Sequence, residues 1–352
     1  MQRYGNEGNT TKNERMMYID YTKAVGILLI VFAHCIQWFS AMSKVNEYVI
    51  GFHVPLFFVI SGCLGYYKDY DGVSFKTFFL KRAKSLLIPY VVFSVINSVI
   101  KLTVLCLKSA LSFDTFSAEM KELLITGNGT VWFLLTLFAV EVVIFLYRKL
   151  VFADRYIARL FLAVICLLLP YLLPQGRALL IVAERILSGT GYYLVGWIFT
   201  DLLVKMGKKS TFYLGFFFFV IGTVIALIYP AQFCFFTGEF LRPVSSIAIS
   251  VLCSVGIVFL TFSVENRLTG LVEKCLNYLG QNSLCIMLVH PIILNCFTFP
   301  LGGLMASLHS VGSVLGSLIL FVSVVLIDIP FVYIVNRWFP WVLGRSKRRR
   351  TV

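Results

Sequence analysis

The amino-acid sequence predicts an all-α polytopic membrane protein with about ten transmembrane helices and both termini in the cytoplasm. The first observation is composition: 59% of the 352 residues are hydrophobic and only 14% are charged, against about a quarter in soluble domains. The second is that apolar runs long enough to cross a bilayer recur along the whole chain. The third is an uneven distribution of basic residues between alternate loops.

Ten apolar runs define the expected spans. They lie at residues 21–40, 48–67, 86–107, 130–148, 157–174, 178–200, 211–230, 244–262, 276–298 and 312–335. The loops between them are short, so we expect one membrane-embedded domain over 1–352, in which a polar N-terminus (1–20) precedes the bundle (21–335) and a basic tail (336–352) follows it. No cleavable apolar core is present in the first twenty residues, and the first span is expected to be its own insertion signal.

The basic residues predict orientation. Of 31 Lys and Arg residues, 23 lie on one side of the predicted spans and 5 on the other. Because positive residues accumulate in cytoplasmic loops, this split predicts that both termini are cytoplasmic. We expect the protein in the cell inner membrane. The net charge of +14 is therefore explained by basic residues at the membrane surface and does not require nucleic acid. We expect the basic tail to bind anionic membrane lipid. Nine cysteines without a CxxC spacing predict neither a disulfide framework nor a metal site.

The first span carries an ionisable residue at a depth where lipid makes one costly. Along a helix, His34 lies about 16 Å beyond Lys23, and the hydrocarbon core is roughly 30 Å thick. An ionisable residue near the middle of a bilayer suggests a function. The alternative is a buried histidine that a neighbouring helix satisfies.

Other polar residues in the predicted spans sort by depth. The outer half holds His34, His53, Trp132, Glu184, Arg185 and His290. The cytoplasmic half holds Asp20, Lys23, Arg82, Lys84, Asn282 and Asp328. Such groups cannot face lipid, so we expect them to converge on a protein interior or a wet cavity. Plain alternatives stay open, since tryptophan is common at membrane interfaces and basic residues mark the cytoplasmic side.

Four motifs resemble one known family. The first is IDYTKAVGILLIVFAHC, and the second is FHVPLFFVISGCLGYY at 52–67. The third is KRAKSLLIPYVVF at 81–93. A weaker fourth match combines VWFLLTLFAVE (131–141) with LGQNSLCIMLVHP (279–291). On these residues the chain resembles the acyltransferase-3 family of integral membrane O-acyltransferases, in the branch of fucose 4-O-acetylase-like proteins and bacterial polysaccharide O-acetyltransferases.

The resemblance implies transfer of an acyl group, expected to be acetyl, from cytosolic acetyl-CoA to a hydroxyl of a cell-envelope sugar or polysaccharide, free or lipid-linked. Histidine suits a general base near neutral pH, so His34 is expected as the base, with His53 and Asp20 as the other catalytic residues. The phosphates of acetyl-CoA need cationic partners, which are expected to be Lys23, Arg82 and Lys84. On the acceptor side we expect Trp132, Glu184, Arg185 and His290.

The third motif departs from the family pattern. Many members have Arg-x-x-Arg, whereas Ser85 stands three residues after Arg82, and Lys84 lacks the bidentate fork of arginine.

Direct transfer and a covalent acyl-histidine intermediate are both compatible with these residues. Two other classes stay open: a secondary transporter, although no internal repeat relates the two halves, and a non-catalytic component of envelope-polysaccharide assembly.

Overall fold

The computed structural model describes residues 16–70, 72–127, 129–150, 155–174, 177–235, 237–298 and 302–345. In these ranges the chain forms twelve α-helices: α1 (Met17–Ile36), α2 (Ser43–Tyr66), α3 (Phe75–Leu107), α4 (Phe113–Lys121), α5 (Trp132–Tyr147), α6 (Tyr156–Leu168), α7 (Ala178–Leu203), α8 (Lys208–Ile228), α9 (Pro243–Val264), α10 (Gly270–Thr298), α11 (Gly302–Ser310) and α12 (Ser313–Trp338). Two three-residue strands, β1 (Gln232–Cys234) and β2 (Glu239–Leu241), pair antiparallel between α8 and α9.

Nine helices of the described ranges are long and apolar enough to cross a membrane, which confirms the all-α polytopic class. They correspond to nine of the ten predicted spans. The fifth predicted span is shorter, because α6 ends at Leu168 and a 3₁₀ turn, Leu169–Leu172, follows. Pro170 explains this end, since proline has no N–H for a helical hydrogen bond and its ring clashes with the preceding turn. The side of the membrane that each terminus faces stays a prediction.

The third membrane helix begins earlier than its apolar run. We expected a span at 86–107, whereas α3 already begins at Phe75. The hydroxyl of Ser74 caps this end by accepting a hydrogen bond, 3.2 Å long, from the backbone N–H three residues on. Arg82 and Lys84 therefore lie within α3. The apolar run began later because charged residues lower the hydropathy, although arginine and lysine do not oppose helix formation.

Glycines set the closest helix contacts. A Cβ atom on Gly62 of α2 would lie 2.8 Å from the carbonyl carbon of Tyr193 in α7. One on Gly196 of α7 would lie 2.8 Å from the carbonyl carbon of Val59 in α2. Each helix thus presents a glycine to the backbone of the other. Small residues allow such approach in membranes, where packing and hydrogen bonds hold helices together.

Candidate active site

Three histidines, His34, His53 and His290, form what we call the histidine cluster. The rings of His34 in α1 and His290 in α10 have centroids 5.3 Å apart and planes inclined by 39°. His53 in α2 lies within electrostatic range of His34. Both His53 and His290 are buried. The structure therefore brings together the three histidines that the sequence placed in the outer half.

Helices α1 and α10 run side by side in the same direction. At one end, the backbone of Asp20 lies against Gly280, where a Cβ atom would be 2.6 Å from the Asp20 carbonyl carbon. At the other end, His34 meets His290. At 1.5 Å per residue, the two rings lie about 15–20 Å along the helices from the crossing. The histidine cluster is thus separated from Asp20 by about 15–20 Å along the bundle.

Two of the histidines have one ring nitrogen engaged by their own helix. Nδ1 of His290 lies 2.8 Å from the carbonyl oxygen of Ile286, and Nδ1 of His53 lies 3.1 Å from that of Val49. A carbonyl oxygen only accepts, so Nδ1 carries the proton in each ring. In the neutral imidazole, Nε2 is then an acceptor. Nε2 of His290 has no hydrogen-bond partner among the described residues.

A proline follows each of these two histidines, and the backbone group that it frees is satisfied from another element. Pro291 has no N–H, and the carbonyl four residues before it accepts from Thr130 Oγ1 at 3.1 Å. Pro55 in α2 likewise frees the carbonyl four residues before it, and that carbonyl accepts a hydrogen bond from Ser250 Oγ of α9 at 2.6 Å. An unpaired carbonyl would be costly in a membrane interior. These hydroxyls therefore stabilise the helix backbone at the two prolines beside His53 and His290.

A second group of charges surrounds Glu141 of α5. Its Oε2 lies 2.7 Å from Nε of Arg82, and its Oε1 lies 3.5 Å from Nζ of Lys68. The charge of Lys23 also acts on Lys68, and Lys23 Nζ lies 3.8 Å from Oδ1 of Asp20. We call Lys23, Lys68, Arg82 and Glu141 the cation cluster. Glu141 and Lys68 were not predicted, although a carboxylate in an otherwise apolar span was the signal that marked Glu141.

Lys84 lies outside this cluster. Its side chain is exposed, and no hydrogen bond or ion pair joins it to the other charged residues in the described part of the chain. Its backbone lies against Gly344, where a Cβ atom would be 2.8 Å from the Lys84 carbonyl carbon. Of the three cations predicted for the donor, the structure thus groups Lys23 with Arg82 and leaves Lys84 apart.

Arg148, directly after α5, holds the loop that carries Lys68. Arg148 donates to the carbonyl oxygens of Gly65 at 2.8 Å and of Lys68 at 2.9 Å. Its guanidinium carbon also lies 4.7 Å from the ring centre of Tyr70 and 4.4 Å from that of Trp197. Burial lowers the pKa of Lys68 to about 8, with Glu141 opposing the shift.

The remaining predicted residues meet beneath the β1–β2 ribbon. Arg185 is buried, with its guanidinium carbon 4.6 Å from the ring centre of Trp132 and its Nε donating to the Phe235 carbonyl at 2.7 Å. The rings of Trp132 and Phe235 stack with their centroids 6.0 Å apart. Glu184 is fully buried, and neither carboxylate oxygen has a hydrogen-bond partner in the ranges that the structure describes. The surroundings of Glu184 and Arg185 are therefore protein rather than lipid headgroups.

These features define a multi-pass membrane protein with an ionisable site inside its helical bundle. The family model for the acyltransferase domain of the acyltransferase-3 family matches residues 17–333, which include the histidine cluster and the cation cluster. The chain belongs to this family and is a membrane acyltransferase. No curated protein and no solved structure matches it.

Proposed function

We propose that this acyltransferase is an O-acetyltransferase of the cell inner membrane, which moves acetyl from cytosolic acetyl-CoA to a hydroxyl of an envelope sugar or polysaccharide. One observation carries the proposal: α1 has the cation cluster near its beginning and the histidine cluster about 15–20 Å further along. Coenzyme A is an elongated donor with phosphates at one end and a thioester at the other. Such a donor suits a site whose cations and histidines lie at different depths.

The reaction needs a base, because a sugar hydroxyl is a poor nucleophile at neutral pH. His34 takes the hydroxyl proton while the oxygen attacks the thioester carbonyl carbon. The tetrahedral intermediate then collapses, the carbon–sulfur bond breaks, and the proton passes from His34 to the CoA sulfur. His290, whose Nε2 is an acceptor, orients the His34 ring from 5.3 Å away.

The other predicted residues take supporting roles. His53 uses its Nδ1 proton within α2, so in its neutral form it suits acceptance of a hydrogen bond from the sugar better than donation to an oxyanion. Asp20 acts through Lys23, since it lies near the cation cluster and far along α1 from His34. On the acceptor side the proposal keeps Trp132, Glu184 and Arg185, whereas it moves His290 from the acceptor side to His34, which its ring adjoins.

The test is acetyl-CoA consumption by purified protein in nanodiscs, with and without a crude polysaccharide acceptor. His34→Ala should lower acceptor-dependent CoA release about 10²–10⁴-fold, with acetyl-CoA binding unchanged. His309→Ala is the matched control, because His309 is an exposed histidine at the end of α11. An active His34→Ala protein would contradict the base assignment. Wild-type protein that neither binds nor consumes acetyl-CoA would overturn the donor.

A further inference from the structure

The cation cluster contains one lysine that the donor assignment from sequence did not include. We propose that Lys68 binds a phosphate of the acyl-CoA donor, and that Glu141 is a positioning residue that holds Lys68 beside Arg82. This inference rests on the proposed function, because it assumes an acyl-CoA donor. It adds two residues of this chain to the donor site.

The backbone that carries Lys68 is held by hydrogen bonds from Arg148 and Lys149. A free lysine side chain loses conformational entropy when it binds a ligand, which weakens its contribution. Here the Lys68 carbonyl accepts from Arg148, and the Tyr70 carbonyl accepts from Lys149 Nζ at 3.1 Å. The backbone on both sides of the lysine is therefore fixed before any ligand arrives, and such preorganisation favours binding.

Charge also favours an anionic ligand at this position. Glu141 is one carboxylate between the two cations Lys68 and Arg82, so the three groups together carry a net positive charge. The Lys68 ammonium has three donors, and its contact with Glu141 is long at 3.5 Å. The Lys68 side chain is 29% exposed, against 6% for Glu141. A phosphate can thus reach the lysine while the carboxylate stays behind it.

Glu141 has a distinct role in this arrangement. Two cations side by side repel each other, and a shared carboxylate reduces that repulsion. Glu141 itself is anionic and cannot bind a phosphate. Its effect on the donor must therefore pass through the positions of Lys68 and Arg82.

The experiment is calorimetric titration of nanodisc-embedded full-length protein with coenzyme A. Lys68→Met should weaken binding about 10- to 100-fold, the range for a hydrogen bond to a charged group, and Lys68→Arg should restore most of it. Lys81→Met is the matched control, because Lys81 is an exposed lysine one residue before Arg82. In turnover assays, Lys68→Met should raise the donor KM and leave kcat unchanged.

Glu141→Gln tests the positioning role. It should weaken coenzyme A binding, and the double variant with Lys68→Met should lose less than the product of the two single effects. If Lys68→Met lowers thermal stability but binds coenzyme A like wild type, Lys68 is structural and the inference is wrong. If wild type itself does not bind coenzyme A, the proposed donor fails instead. A Lys68→Arg protein that folds but binds no better than Lys68→Met also overturns the inference.

Discussion

Replacement of Gly280 by alanine tests whether the crossing of α1 and α10 sets the geometry of the histidine cluster. A Cβ atom at this position would lie 2.6 Å from the carbonyl carbon of Asp20 and 2.9 Å from its Cα. Carbon atoms in ordinary contact are about 3.5–4.0 Å apart, so the two backbones must separate by about 1 Å. The obstacle is backbone, and no side-chain rotation can relieve it.

The expected loss of stability follows from two opposing effects. Overpacking typically costs about 1–3 kcal/mol, and backbone contact favours the upper end of that range. Alanine is a better helix former than glycine by about 1 kcal/mol, which offsets part of the cost. We therefore expect Gly280→Ala to destabilise the protein by about 2 kcal/mol. Because His34 and His290 lie on these same two helices, activity should fall about 10- to 100-fold.

Thermal unfolding in detergent and acetyl-CoA turnover in nanodiscs measure the two effects. Gly303→Ala is the control, since a Cβ atom there meets nothing within 4 Å and the chemical change is the same. A Gly280→Ala protein with wild-type melting temperature and activity would refute the close crossing. A protein that is less stable but fully active would refute only the link between the crossing and the histidine pair.

Three further predictions concern single groups. Coenzyme A affinity should fall as pH rises through about 8 in the wild type but not in Lys68→Arg. Burial lowers the pKa of Lys68 to about 8, and only the protonated amine attracts phosphate. Titrations with coenzyme A at pH 7 and pH 9 measure this difference. Ser250→Ala should cost about 1–3 kcal/mol, since the carbonyl freed by Pro55 loses its donor. The control Ser245→Ala should cost little, because it removes an exposed hydrogen bond of 3.4 Å to the Arg242 carbonyl at the start of α9; equal melting temperatures of the two variants would contradict this. Asp328→Leu should raise the melting temperature, because the two side chains share shape and the carboxyl is buried without a partner among the described residues; a lower value would contradict it.

Composition and hydropathy were enough to predict the class, because a membrane helix must satisfy its backbone internally and present apolar side chains to lipid. The cost of burying an ionisable group likewise made His34 and His290 visible in the sequence, and the structure places their rings together. Hydropathy could not show that Pro170 ends α6 early or that α3 begins at Phe75. The end of α6 and the beginning of α3 depend on local backbone hydrogen bonding, which a hydropathy average does not measure.

The proposed donor site shows most clearly what sequence spacing can and cannot predict. In a helix, residues three apart share a face and residues two apart do not, so Ser85 rather than Lys84 takes the place of a second arginine after Arg82. The Ser85 hydroxyl donates to the Arg82 carbonyl at 3.1 Å and brings no charge. Lys68 lies next to Arg82 in space through their shared partner Glu141, although fourteen positions separate the two in sequence. In the proposed donor site the missing cation of the motif is therefore replaced from a loop, which only the tertiary contacts of Arg148 and Glu141 could reveal.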